Sequence, residues 1–77
     1  NPFNSSTTIS YTVDKSSYIE LVIINSIGQT VSSLVNRVQQ SGNYTVNFDA
    51  SGLSSGIYTY SLRADGLDMS KIMTLVK

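Results

Sequence analysis

The chain has no cysteine, no histidine and no tryptophan, one proline, and charged residues at only 13% of its 77 positions. Without cysteine there is no disulfide and no thiolate metal site, which excludes the disulfide-stapled secreted scaffolds. Without histidine the commonest general base and a leading metal ligand are both missing. Five basic residues cancel five acidic ones. So balanced a chain carries no electrostatic footprint for nucleic acid or an anionic membrane. No apolar run approaches the roughly 20 residues of a membrane-spanning helix. No signal peptide is visible, and the first residue is Asn1 rather than Met. The expectation is a fragment of a longer precursor.

What remains offers little chemistry. Ser70 precedes Lys71, but adjacent strand residues point to opposite faces and cannot act as nucleophile and base. Asp14, Glu20, Asp49, Asp65 and Asp68 are scattered. Asp65 and Asp68 flank a glycine turn, yet two carboxylates fall short of the six to eight oxygens that calcium takes. A plain turn is the better reading. Asn4-Ser5-Ser6 and Asn43-Tyr44-Thr45 fit the glycosylation acceptor pattern, a cheap match in a chain rich in Ser and Thr. No catalytic, metal or cofactor residue is expected, and the chain is not expected to be an enzyme.

Seventy-seven residues make one domain, residues 1–77, with a thin core. At this length net stability is about 4–12 kcal/mol. Apolar residues mostly recur at every second position, the strand period, and the strand formers Val, Ile, Thr and Tyr are plentiful. Asn1 to Asn4 forms an extended or turn entry. In 7–13, Ile9, Tyr11 and Val13 share one face. After a polar turn at 14–17, residues 18–25 put Ile19, Leu21 and Ile23 on one face. The other face carries Tyr18, Glu20, Val22 and Ile24, so this strand is expected to be central. Gly28 serves the next hairpin loop. A third strand follows from about Thr30 to Asn36. Val31 and Leu34 are three apart, which breaks the alternation and marks a bulge. A helix over 31–38 is the competing reading; weak helix formers and the missing cap argue against it.

Residues 39–43 turn the chain at Gly42. Tyr44, Val46 and Phe48 then alternate inward. The loop 49–56 offers Leu53 as a plug into the core. Residues 57–64 put Tyr58, Tyr60, Leu62 and Ala64 on one face. Asp65-Gly66 is a two-residue hairpin signal, and Met69 to Val76 makes the last strand. Gly56 is read as a corner that needs the space a Cβ would fill, with Tyr58 and Tyr60 packing below it. Such spacing of six to seven strands predicts an all-β, immunoglobulin-like antiparallel sandwich, because a lone sheet would leave an apolar face wet. Five tyrosines could instead line a sugar-binding face, but rings packed inward with hydroxyls at the rim are the commoner arrangement.

The punctuation is more distinctive than any single residue. In order it reads NPFN, TTISYTV, IELVIIN followed by a Gly28-Gln29 turn, then SGNYTVNFDASGLSSGIYTYSL, then SKIMTLVK. The whole chain resembles the C-terminal sorting domain of the type IX (Por) secretion system of Bacteroidetes-type bacteria. The family's Asn-Pro entry falls on Asn1-Pro2 and its turn glycine on Gly28. Its Gly-x-Tyr element falls on Gly56-Ile57-Tyr58, and its Lys-led last strand on Lys71 to Lys77. Ile24 stands where the family often has an aromatic, and Phe48 where it often has Trp.

The resemblance implies a non-catalytic sorting signal fused behind an upstream cargo. Its partners would be the outer-membrane type IX translocon and a sortase-like peptidase that removes the domain and attaches the cargo to surface lipopolysaccharide. The protein would pass through the periplasm and end secreted or on the outer-membrane surface, with no cofactor and no nucleic-acid partner. Gly56, Tyr58, Lys71 and Lys77 are the candidate recognition residues; Gly28, Gly42 and Gly66 are structural turns. The last strand is expected at or near a sheet edge, open to strand addition by the machinery, though its lysines could equally be solvated guards against aggregation. The alternative functions are an immunoglobulin-like accessory or carbohydrate-binding module of an extracellular enzyme, marked by an exposed, coplanar tyrosine pair, and a capping domain like that of flagellar hook-cap proteins.

Overall fold

The computed structural model describes residues 2, 3 and 5–76. Seven strands make two sheets: β1 (Pro2–Phe3), β2 (Ser6–Val13), β3 (Ser17–Ile24), β4 (Thr30–Gln39), β5 (Gly42–Asp49), β6 (Gly56–Ala64) and β7 (Leu67–Leu75). Five stand in the order β1-β7-β6-β3-β4, and β2 pairs β5 in the second sheet. All pairings are antiparallel except that of β1 with β7. The all-β sandwich expected from the alternation is the fold.

Apolar residues at every second position close the two sheets on each other. β2 contributes Ile9, Tyr11 and Val13, and β3 contributes Ile19, Leu21 and Ile23, the last two wholly buried. Phe48, Tyr58, Leu62, Met73 and Leu75 complete the seal, with Tyr44, Val46, Tyr60 and Leu53 half-buried against it. β3 lies between β4 and β6, the central place that its two apolar faces foretold. Leu21 pairs Val35 while Val22 pairs Ser33, so Leu34 is an extra residue; Ile23 pairs Ser32 and Ile24 pairs Thr30, so Val31 is another. The irregular Val31–Leu34 spacing is thus a pair of bulges in a strand, not a helix.

Several bounds move. β4 runs on to Gln39, three residues past Asn36, and β5 starts at Gly42, so the turn between them is only Gln40-Ser41. β7 is Leu67–Leu75 rather than Met69 to Val76, because the Asp65-Gly66 turn lets pairing begin at once, Ala64 opposite Leu67. Asp65 (φ 29°) and Gly66 (φ 86°) both sit at positive φ, as a tight two-residue hairpin requires. In the β3–β4 loop Gly28 has φ 88°. There Asn25 is the organiser: its Oδ1 accepts from the N–H of Ile27 (3.1 Å) and of Gln29 (2.9 Å). The loop after β5 is tied down by Ala50, which is fully buried and whose N–H donates to the Ser5 carbonyl at 2.7 Å.

Two features escaped the sequence reading. Gln39 is buried and accepts a 2.6 Å hydrogen bond from the Tyr11 hydroxyl. The second feature is the mismatch in sheet width. With strands about 4.8 Å apart, five strands span roughly 19 Å between outer axes and two only about 5 Å. The narrow sheet cannot roof the broad one.

Candidate functional site

The uncovered strip lies along β7. Leu67, Met69, Lys71, Met73 and Leu75 are opposite Ala64, Leu62, Tyr60, Tyr58 and Gly56, so they occupy the core-facing side of the sheet. Met73 and Leu75 are buried there, but Leu67 and Met69 are 67% and 65% exposed. The second sheet does not reach them. Between the free edge of β2 and this strip runs a groove of about 360 Å³, lined by Thr7–Ser10, Tyr60 and Lys71–Met73. Among the described residues, Lys71 is the only charged one that lines it.

The open edge is nearly complete. β6 flanks β7 on one side along its whole length. On the other side β1 pairs only at Pro2–Thr74 and Phe3–Leu75. Among the described residues, Leu67 to Met73 therefore keep a row of backbone donors and acceptors without a strand beside them, the template for pairing with another chain. The expectation that the last strand lies near an edge is met in this form.

The recognition candidates distribute along the same corner. Gly56 opens β6 opposite Leu75, Tyr58 stands opposite Met73, and Lys71 stands opposite Tyr60. Four residues of strand separate the Gly56 and Lys71 register positions, roughly 13 Å at the strand rise. Tyr58 is buried, and its hydroxyl donates to the Ser54 carbonyl at 2.8 Å, pinning the loop that enters β6. Lys71 is exposed. Lys77, like Asn1 and Asn4, lies outside the described residues. Gly56 corrects the steric half of one expectation: nothing lies within 4 Å of where its Cβ would stand, while its φ of 158° is a backbone setting that L side chains rarely adopt. No neighbour there demands a glycine. Gly28 closes the same end of the sandwich as Gly56; Gly42 and Gly66 close the other.

Every buried side-chain polar atom among the described residues has a hydrogen-bond partner. Arg63 pairs with Asp68 at 3.3 Å and with Glu20 at 4.0 Å on the outer face, so Asp68 faces a guanidinium across the Asp65-Gly66 turn. Among the described residues no cluster of three or more metal-ligating side chains forms. Tyr11 stacks on Tyr44, centroids 5.5 Å apart, but Tyr11 is buried, so the pair is core and not a sugar platform. Tyr18, 49% exposed on the opposite face of the broad sheet, donates to Asn36 and has no coplanar aromatic partner among the described residues. Burial raises the Tyr11 hydroxyl above its ordinary pKa of 10.0, and the nearby Tyr44 adds to this; the Gln39 hydrogen bond and Arg37 pull the other way.

Comparison with curated proteins and with solved structures gave no match. A family model, the secretion system C-terminal sorting domain, matches residues 1–76. That span takes in the Asn-Pro entry, the Gly28 turn, the Gly56-Ile57-Tyr58 element and the last strand. The chain therefore belongs to the C-terminal sorting domains of the type IX (Por) secretion system.

Proposed function

We propose that this module is the folded address label of a larger exported protein. Cargo joined upstream of Asn1 reaches the periplasm by an ordinary signal peptide, and the type IX machinery in the outer membrane reads the label. A sortase-like peptidase then removes it and attaches the cargo to the cell surface. The observation that carries this reading is the family match over residues 1–76. The nature of the surface agrees with it: charge-poor, with an open β7 edge.

The part read by the machinery is the β6–β7 side, where Tyr58 shapes the corner after Gly56 and Lys71 supplies a charge beside exposed Leu67 and Met69. A carbohydrate-binding role gains nothing from the buried Tyr11–Tyr44 stack.

The test is export of a periplasmic reporter carrying residues 1–77 at its C-terminus. It should reach the surface or medium in a bacterium with a working type IX translocon and stay in the periplasm when the translocon is deleted. Equal release from both strains would refute the reading.

A further inference from the structure

We infer that the open edge of β7 is the docking site of the polypeptide immediately preceding Asn1, which pairs there as a continuation of β1. The inference rests on the reading above that cargo is joined upstream. The ladder of β1 with β7 is parallel, Pro2 opposite Thr74 and Phe3 opposite Leu75. In a parallel ladder both chains run the same way, so moving upstream from Pro2 moves toward Met73 and then Leu67. Carried past residue 1 one position at a time, this register puts the six preceding residues opposite Ile72, Lys71, Ser70, Met69, Asp68 and Leu67 in turn. Those are the β7 positions that lack a second strand, and they include the two exposed core-facing side chains, Leu67 and Met69.

Three independent needs meet in that segment. The unpaired backbone of β7 gains partners. The exposed side chains of Leu67 and Met69 gain cross-strand neighbours on their own face of the broad sheet. The upstream chain, already aligned by β1, reaches the edge at small cost in loop closure. Side chains of directly opposed residues share a face, so the second, fourth and sixth residues before Asn1 lie beside Lys71, Met69 and Leu67. Apolar residues are expected at the fourth and sixth; charged residues at both would overturn the inference. The β7 side that the machinery meets is then composite, made of the module and the end of its linker.

Hydrogen exchange on the full precursor tests this. In the native precursor, amides in 67–72 that point away from β6 should exchange at least tenfold more slowly than in a precursor whose six residues before Asn1 are all replaced by proline. Amides of β3 and β6 should be equally protected in both, showing that the sandwich is intact. Equal exchange in 67–72, or slowing that grows with protein concentration and so reports a second copy on the edge, would overturn the inference. Failure of the sorting reading appears elsewhere, as translocon-independent release of the native precursor.

Discussion

Tyr11 and Gln39 show how much a single polar contact decides in so small a core. Each lies on a separate sheet, and their 2.6 Å bond crosses the interior. Removing the donor leaves a buried amide oxygen without a partner, a cost of about 1–3 kcal/mol. Tyr11→Phe should therefore lower the urea midpoint, and the double variant with Gln39→Leu should recover much of the loss. The same hydroxyl sets an alkaline limit. Its pKa is raised in the fold, so the folded state holds the proton more tightly than the unfolded chain. Stability from this group is complete below the ordinary value of 10.0 and is lost as pH climbs through the raised folded value. Denaturation curves above pH 10 should show that decline in the native chain, and a smaller one in Tyr11→Phe. Neither role was legible beforehand. A glutamine in Gln39-Gln40-Ser41-Gly42 reads as turn, and only the extra length of β4 carries it into the interior. Ala50 was hidden in the same way, being a small residue inside a loop of small residues.

At the level of elements, turn chemistry and alternation carried most of the information. Asp65-Gly66 and Gly28 were readable because positive φ has few tolerant residues. Gly28→Ala or Gly66→Ala should cost about 1–2 kcal/mol, whereas Gly52→Ala, with open space around it and no left-handed backbone, should be neutral or slightly stabilising. Thermal unfolding of the three variants compares them directly. The bulges in β4 were readable from one broken interval, Val31 to Leu34. The exposure of Leu67 and Met69 on the core-facing side of β7 was not, because alternation says which way they point and nothing about how wide the opposing sheet is. Residues 71–77 cannot simply be deleted to probe the last strand, since Met73 and Leu75 are core. Lys71→Glu is the better variant. It should leave folding unchanged and cut reporter export at least tenfold. If Lys71 only guards against aggregation, Lys71→Glu, which keeps a charge there, will export normally, and only Lys71→Leu will self-associate on size exclusion.

For the whole molecule, the proposed function requires that a folded outline, rather than a short linear tag, carries the address. A core this thin sits on a net stability of about 4–12 kcal/mol, so one disrupted central residue reaches every surface at once. Leu21, wholly buried on the central strand, is the place to apply that pressure; a carboxylate there has no partner to offset its desolvation. The family pattern itself was legible in the order of turns and strands, and the family match spans residues 1–76. The direct measurement is surface delivery of one reporter in a type IX-proficient strain, carrying either native residues 1–77 or the Leu21→Asp form, with periplasmic amounts matched. Delivery with the native module and its loss with the unfolded one is the expected result; equal delivery by both would contradict the account.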